Sequence, residues 1–407
     1  MRFSPVLMSC LIVGVVLLTD NQSFAQTKKN TLGQELNTVT SAVPFLQIGP
    51  DARSGGMGEA GVASTPDANS LHWNPAKYSY IESDMGFAMS YSPWLRQLVS
   101  DINLAYLTGF KKLGNGQVIA GSLLYFSLGD ITFTDGLGET IGNFRPNEFA
   151  ISGAYSRMLT KHLSGAVSAR YIHSNLTQGM DVSSSSSKAG NTVAADIALY
   201  SEHHITFPSM EGTFAWGLDI SNIGAKISYS DDNTQRDFIP TNLRFGPALT
   251  LDIDDFNSLT FMVDFNKLLV PTPPVYFADS VDENNKPVIS NGMDPDVSVP
   301  VGMLHSFYDA PGGFNEELHE ISIAAGVEYW YDKQFAIRGG YFYEHETKGN
   351  RKFFTLGAGL RYNVFGLDFS YLIPTDQRNP LESTLRFTLH FDFDAFQKQS
   401  VDTNTKK

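Results

Sequence analysis

Residues 41–79 read SAVPFLQIGPDARSGGMGEAGVASTPDANSLHWNPAKYS, and we expect the rest of the chain to fold around this stretch. It is rich in glycine and other small residues, which tolerate tight turns and close approach of two backbones. The alternative is a surface linker, but several apolar side chains would be poorly solvated there. They are Pro44, Phe45, Leu46, Ile48, Met57, Leu71 and Trp73. We therefore predict a compact plug inside a large β-barrel whose wall is the rest of the chain.

The N-terminus has the pattern of a secretory signal peptide. Arg2 supplies a positive charge, residues 6–18 are apolar, and Ser23 and Ala25 place small residues before a cleavage site. The apolar run is too short for a membrane-spanning helix. The only cysteine, Cys10, lies in this segment, so we expect a mature chain without disulfides.

The composition narrows the class of protein. The formal net charge is −14, which makes an exported chain a poor candidate for nucleic-acid binding. Aromatic residues make up 12% of the chain, with 29 Phe and 17 Tyr. An exported chain that is rich in aromatic residues, and in which apolar and polar residues alternate, favours an outer-membrane β-barrel, where each strand gives only a weak hydropathy signal.

From about residue 84 the apolar pattern has a period of two, which indicates β-strands. Phe387 and Leu389, for example, alternate with Arg386 and Thr388. Many of the segments have 11 to 15 residues, longer than the ~5–6 of soluble strands and suited to tilted membrane spans. The fourteen predicted segments are 84–92, 101–110, 117–129, 147–159, 162–175, 191–202, 212–222, 241–254, 257–268, 317–331, 334–346, 351–363, 365–373 and 382–394.

The joins between these segments alternate between short and long, as in outer-membrane barrels. On the short side the one longer join is predicted at 202–211, with His203 and His204 in a turn; on the other side the longest loop runs from 266 to 316. The predicted fold class is all-β, a 14-stranded antiparallel transmembrane β-barrel with an N-terminal plug inside the lumen. An even number of strands lets the barrel close without a free edge in lipid.

We expect five regions along the chain. They are a signal peptide (1–25), a periplasmic N-terminal segment (26–40), the plug (41–82), the transmembrane β-barrel with long extracellular loops (83–396) and a C-terminal tail (397–407).

The sequence contains no recognisable catalytic pattern, and we predict no enzyme activity, no cofactor and no metal site. Neither a Gly-x-Ser-x-Gly elbow nor a His-Glu-x-x-His motif occurs. The run GGMGEAG at residues 55–61 superficially resembles a nucleotide-binding loop, but it does not follow a strand and open a helix in a βαβ unit. His203 and His204 are more readily explained as solvated side chains than as metal ligands.

The predicted loop 266–316 combines stiffness with exposed apolar groups. Its seven prolines lower the entropy lost when a partner docks, and its aromatic and methionine side chains are typical of a protein-facing surface. A lid folded over the mouth of the barrel is an alternative, and the two interpretations are compatible.

Residues 42–65 and 67–80 resemble the N-terminal signature of the PorV family, outer-membrane components of the type IX secretion system of Bacteroidetes. The triplet Asn74-Pro75-Ala76 is similar to the plug box of the wider FadL family of fourteen-stranded barrels. The C-terminus departs from the usual barrel pattern, because a tail follows the last aromatic residues. The residues that we assign to the plug motif are Asp51, Arg53, Gly55, Gly56, Met57, Gly58, Asn74, Pro75 and Ala76.

The resemblance implies a function that composition does not reveal. Members of the family are understood to bind secreted cargo through its C-terminal signal domain as it leaves the giant translocon barrel. They then deliver the cargo to a surface complex whose sortase removes the signal and attaches the cargo to lipopolysaccharide. On this basis the residues expected to contact cargo are Phe133, Phe238, Tyr276, Phe277, Met293, Phe307 and Tyr308.

Two other functions are compatible with the predicted fold. A FadL-like transporter of hydrophobic small molecules would use a binding site in the lumen and a lateral opening, for which Gly246-Pro247 is a candidate. An outer-membrane hydrolase acting on lipid A would need a catalytic constellation that the sequence lacks.

Overall fold

The computed structural model is a closed barrel of fourteen antiparallel strands, as predicted. The structure describes residues 37–96, 99, 101–134, 137–176, 187–230, 236–283, 286–376, 379–382 and 384–393. The predicted signal peptide, residues 26–36 and the predicted C-terminal tail lie outside the described residues.

The first strand of the wall, β1 (Met85–Pro93), pairs with the last, β18 (Leu385–Asp392), and closes the barrel, with Phe87 opposite Phe391. The strands of the wall are β1 (Met85–Pro93), β2 (Asn103–Gly114), β3 (Gln117–Ser127), β6 (Asn147–Met158), β7 (Leu163–Asn175), β8 (Gly190–Phe207), β9 (Met210–Gly224), β10 (Asn242–Asp252), β11 (Asn257–Leu268), β14 (Ser322–Tyr331), β15 (Phe335–Tyr343), β16 (Lys352–Tyr362), β17 (Phe365–Pro374) and β18 (Leu385–Asp392). Two hairpins lie in loops: β4 (Ile131–Thr134) with β5 (Thr140–Phe144), and β12 (Val275–Val281) with β13 (Pro287–Asn291).

The outer face of the wall is apolar, whereas the inner face carries the buried polar and charged side chains together with apolar ones that pack against the plug. In β15 the side chain of Ile337 is 66% exposed, whereas that of its neighbour Arg338 is 1% exposed. In β18, Arg386 and Thr388 are buried in the lumen while Phe387 faces outward. The alternation read from the sequence is therefore confirmed, in the sense expected for a barrel surrounded by lipid.

The connections are short at one end of the barrel and long at the other. The turns at residues 115–116, 208–209 and 363–364 have two residues each, whereas residues 269–321 join β11 to β14 at the opposite end. The predicted longer join at 202–211 is wrong, because β8 and β9 continue to a tight turn with Phe207 opposite Met210. Residues of high β-propensity on both strands extend the pairing beyond His203 and His204.

The predicted plug forms short helices inside the barrel. They are a 3₁₀ helix (Pro44–Gln47), α1 (Ala52–Gly55), α2 (Ser70–Trp73) and a second 3₁₀ helix (Pro75–Tyr80). Met57, Val62 and Asn74 are completely buried. The long loop contains two further helices, α3 (Val299–His305) and α4 (Phe314–His319). None of the helices in the described part of the chain has the length and hydropathy needed to span a membrane.

Residues 37–48 lie at the end of the barrel that carries the long loops. The side-chain amide of Asn37 donates to Glu316 Oε1 over 3.0 Å, and the Phe45 ring stacks on that of Phe126 near the end of β3. This placement differs from the periplasmic position predicted for residues 37–40. A polar segment does not indicate at which end of a barrel it leaves the lumen, and here the apolar residues after it extend toward the long-loop end.

Candidate functional site

The first part of the site is the core of the plug, where Asp51 holds two helices together. Its carboxylate caps α1 by accepting the backbone N–H of Ser54 (2.9 Å), and it also accepts the indole N–H of Trp73 in α2 (2.6 Å). Hydrogen bonds that a carboxylate accepts from backbone N–H groups at a helix N-terminus are among the stronger hydrogen bonds in proteins. Asp51 therefore positions the two halves of the plug relative to each other.

Arg53 joins the plug to the barrel wall through a buried ion pair. Its guanidinium donates to both carboxylate oxygens of Glu328 in β14, over 3.0 and 2.7 Å, and to Asp67 in the plug over 3.0 Å. Glu328 also pairs with Arg338 (2.7 Å), which in turn pairs with Asp368 (2.8 Å). The ionic chain thus continues from the plug across β14, β15 and β17.

Glycines allow the plug backbone to touch the wall directly. Gly58 has φ +68, and a Cβ there would lie 2.6 Å from the backbone nitrogen of Tyr341. A Cβ on Gly340 would lie 2.1 Å from the nitrogen of Gly58, and one on Gly56 would lie 3.0 Å from the Cα of Gly357. The glycine run in the plug is therefore required by backbone contact with β15 and β16.

The triplet Asn74-Pro75-Ala76 fixes the opposite side of the plug. The Asn74 side chain accepts the N–H of Ala76 (2.9 Å) and donates to the carbonyl of Leu199 in β8 (2.9 Å). The carbonyl of Ala76 accepts the hydroxyls of Ser156 (3.2 Å) and Ser164 (2.7 Å), from β6 and β7. The plug is thereby held to both sides of the lumen.

The sequence did not reveal which wall residues receive the plug. Asp264 in β11 accepts the backbone N–H groups of Gly61 (2.7 Å) and Val62 (2.9 Å), and Glu328 receives Arg53. The available signal was a carboxylate in the middle of a membrane strand, which is expensive unless it has a partner inside the protein.

The second part of the site is the loop 269–321, which is anchored to the rim of the barrel by buried ion pairs. Lys267 of β11 pairs with Glu317 (3.0 Å) and Glu320 (2.6 Å). Lys348, between β15 and β16, pairs with Glu316 (2.6 Å) and Glu320 (2.9 Å). Helix α4 and the residue after it are thus fixed to two different elements of the barrel.

Two carboxyl groups of this loop have shifted pKa values. Burial, with Glu317 and Glu320 nearby, raises the pKa of Asp309 to about 6. Burial acts to raise the pKa of Glu316, but the bond and charge of Lys348, the backbone N–H of Gly312 and the amide of Asn37 together lower that pKa below its ordinary value. The described residues contain no cluster of three or more His, Cys, Asp or Glu side chains able to hold a metal ion.

The loop presents exposed aromatic and leucine side chains to the outside, which we call the outer apolar residues. Four of the residues predicted from the sequence belong to this group and three others were missed. The group comprises Tyr276 (45% exposed), Phe277 (54%), Leu304 (66%), Phe307 (49%), Tyr308 (57%), Phe314 (74%) and Leu318 (49%).

The other predicted contact residues are placed differently. Met293 is half-buried, and so is Phe238, whose ring lies beside Gly302 of α3 and under the ammonium group of Lys226 at 4.3 Å. The side chain of Phe133 lies outside the part of the chain that the structure describes. Leu304, Phe314 and Leu318 were not predicted, because they lie on short helices that the sequence pattern of this proline-rich loop does not indicate.

Two cavities open at the long-loop end. One, of about 710 Å³, lies between the plug and the mouth of the barrel and is lined by Phe45, Trp73, Arg244 and Phe342, among others. The second, of about 690 Å³, lies among the loops, and its lining includes Pro271, Pro273, Pro274, Pro295, Phe238 and Tyr276.

Solved structures with similar folds include toluene transporters and monoaromatic hydrocarbon channels. The Ralstonia pickettii toluene transporter TbuX is 12% identical, with 84% of this chain and 97% of that chain covered and a TM-score of 0.42. The Pseudomonas putida toluene transporter TodX is 10% identical (83% and 95% covered, TM-score 0.44), and a Pseudomonas aeruginosa FadL homologue is 11% identical (88% and 99% covered, TM-score 0.40). One fold hosts many functions at such identities.

None of the curated proteins matches the chain. The family model described as "Type IX secretion system protein PorV" matches residues 31–275, which include the whole plug and nine of the barrel strands from β1 to β11. The match confirms the resemblance seen in residues 42–80, and the chain belongs to the PorV family of type IX secretion system proteins.

Proposed function

We propose that this protein binds the C-terminal signal domain of secreted cargo as it leaves the translocon and delivers it to the surface sortase and attachment complex. Its family makes it an outer-membrane component of a type IX secretion system. The observation that carries the proposal is the group of outer apolar residues on loop 269–321. Long loops of outer-membrane barrels face the cell exterior, where cargo emerges.

The rigidity of this loop supports a binding role. Prolines, two short helices and the buried pairs of Lys267 and Lys348 with Glu316, Glu317 and Glu320 hold its backbone in place before any partner arrives. A surface that is already ordered loses less entropy when it binds. Exposed Tyr and Phe on such a surface are among the aromatic residues that are enriched in protein interfaces.

The plug supports a role at the surface rather than as a conduit. It is held to β14 through Arg53 and to β6–β8 through Asn74 and Ala76, and its central residues are completely buried. A cargo protein would have to break these contacts to pass through the lumen. We therefore assign cargo binding to the loops and propose that the protein acts by binding, without catalysis.

The outer wall offers a place for the giant translocon barrel. Small residues lie side by side on five neighbouring strands and face outward: Gly109, Gly121, Gly153, Ala169 and Ala195. Exposed larger side chains border this row on both sides, namely Leu107, Leu123, Ile151, Tyr171 and Val193 on one and Ile119, Tyr155, Val167 and Ile197 on the other. Small residues let membrane-embedded backbones approach closely. We propose that the translocon docks along this row, with lipid and lipopolysaccharide around the rest of the wall.

The alternative of a FadL-like transporter of hydrophobic small molecules is favoured by two observations. The cavity of about 710 Å³ above the plug carries apolar side chains such as Phe45, Trp73 and Phe342 in its lining, alongside charged ones such as Arg244. At Gly246 and Pro247 the pairing of β10 with β11 is interrupted between Phe245 and Ala248, without a change of register. A lipophile in this cavity and loss of growth on it after deletion of the protein would support transport.

A pull-down from the native membrane in mild detergent tests the secretion function. Tagged protein should recover a very large barrel together with secreted proteins that share a C-terminal domain. Deleting residues 271–311 removes α3 and the β12–β13 hairpin but retains α4 and its ion pairs. This deletion should abolish recovery of cargo and spare recovery of the translocon. Undiminished recovery of cargo would contradict the assignment of the loop, and a lone barrel with bound lipid would favour transport.

A further inference from the structure

Two imidazole rings stack where the longest loop meets the rim of the barrel. His319 ends α4, and His345 lies in the loop between β15 and β16; their ring centroids are 3.6 Å apart and the rings are parallel within 3°. The backbone N–H of Thr347 donates to Nδ1 of His345 (3.3 Å), and the Thr347 hydroxyl lies 2.9 Å from the same nitrogen. A ring nitrogen that accepts an N–H carries no proton, so this is the geometry of a neutral His345.

The surroundings of the stack also favour a neutral His345. Partial burial and the facing His319 lower the pKa of His345 below its ordinary value, and Lys348 and Lys352 act in the same direction, whereas Glu346 opposes them. The carboxylates on α4 and after it are committed to Lys267 and Lys348 rather than to the imidazoles, and Glu344 pairs with Arg351.

We propose that the His319–His345 stack is a pH-sensitive clamp. In mildly acidic surroundings His345 takes up a proton, its Nδ1 no longer accepts the N–H of Thr347, and a positive charge faces the His319 ring beside Lys348 and Lys352, so that the two rings move apart. Histidine is the side chain suited to such a switch near neutral pH. The separation loosens the end of loop 269–321 that leads into β14, next to Phe314 and Leu318.

The sign of the effect follows from proton linkage. Because the stacked state binds a proton at His345 less readily than the free side chain does, stacking is fully favourable above pH ~6.5 and weakens as the pH falls below it. At pH 5.5, a free imidazole of ordinary pKa favours the separated state by a factor of up to about 10.

Other ionisable groups of the loop confine the change to the contact between the two imidazole rings. The pair of Glu316 with Lys348 persists in mild acid because the pKa of Glu316 is lowered. Asp309 acts in the opposite sense: burial raises its pKa to about 6, so acid removes a buried charge beside Thr272 and tightens that part of the loop. The clamp therefore opens while the ion pairs keep the loop attached.

Hydrogen exchange of the full-length protein in nanodiscs at pH 7.5 and 5.5 tests the clamp, with labelling times scaled for intrinsic exchange. Backbone amides in 314–321 and 344–351 should exchange faster at pH 5.5, by up to about 10-fold, while those of α3 in the same loop serve as an internal control and stay unchanged.

The variant His319→Gln/His345→Gln has neutral side chains at every pH and should lose this acceleration. Unchanged exchange in the wild type, or the same acceleration in the double variant, would overturn the proposal. The measurement requires no cargo, so its outcome is separate from that of the proposed function.

Discussion

Replacing Arg53 by methionine tests how the plug is held in the barrel. The substitution removes both bonds to Glu328 and the bond to Asp67, while the methionine keeps most of the apolar volume. Truncating one partner of a buried ion pair costs about 3–5 kcal/mol. Because Glu328 keeps its bond to Arg338, we expect the lower end, about 3 kcal/mol, for release of the plug from the wall.

Exchange of the plug amides measures this release directly. A loss of about 3 kcal/mol corresponds to roughly 100-fold faster exchange where the plug opens as a unit, with the barrel strands unaffected. Tryptophan fluorescence reports the same event through Trp73, which is buried and bonded to Asp51.

The matched control is Arg361→Met. Arg361 also pairs with a buried carboxylate, Asp368 (2.7 Å), but its side chain is 26% exposed and it contacts no plug residue through that pair. Water replaces much of this bond, so the cost is expected to stay below about 1 kcal/mol. Equal acceleration of plug exchange in the two variants, or none in Arg53→Met, would refute the view that the Arg53–Glu328 pair holds the plug.

Three further predictions follow from the wall and the loop. Gly340→Ala places a Cβ 2.1 Å from the nitrogen of Gly58 and should displace the plug, which would appear as faster exchange of the plug amides. Its control is Gly339→Ala: this residue faces outward, the nearest atom to the added Cβ is 4.0 Å away, and exchange should stay unchanged. Gly121→Leu fills the row of small residues and should reduce co-purification of the translocon by 10-fold or more while cargo-domain binding to the isolated protein persists, as expected for a blocked membrane interface. Asp309→Asn removes a carboxyl whose raised pKa makes its ionised form unfavourable, so the variant should slow amide exchange around residue 272 at pH 7.5, with the gain disappearing as the pH falls toward 4; a gain that grows in acid would contradict this sign.

The architecture could be predicted because it rests on local alternation. The alternation of Arg386 with Phe387 is enough to predict that Arg386 faces the lumen, since each strand must place polar groups in the lumen and apolar groups in lipid. The hairpin after residue 202 was misread because two histidines and a proline suggest a turn, whereas continued pairing with β9 decides the outcome.

The partners of the plug could not be predicted, because they are distant in sequence. Arg53 and Glu328 are 275 residues apart, and Gly61 and Asp264 are 203 apart. Only the closed barrel brings them together. The glycine run was recognised as suited to close approach, but the strands that it touches were not.

The long loop was predicted in part. Its prolines and aromatic residues are visible in the sequence, but the exposure of Leu304 and Phe314 depends on short helices that are stabilised by ion pairs with Lys267 and Lys348. The exit of residues 37–40 at the same end depends on the path of the plug through the lumen.

The affinity of the purified protein in nanodiscs for a cargo C-terminal signal domain tests the central claim most directly. The variant Leu304→Ser/Phe307→Ala/Tyr308→Ala removes three outer apolar residues, and Phe261→Ala removes an equally exposed aromatic from the lipid-facing wall as a control. Loss of one binding hot spot costs ~2 kcal/mol or more, so the triple variant should bind at least about 30-fold more weakly, whereas the control should bind as the wild type does. Equal affinity of the triple variant and the wild type would contradict the account.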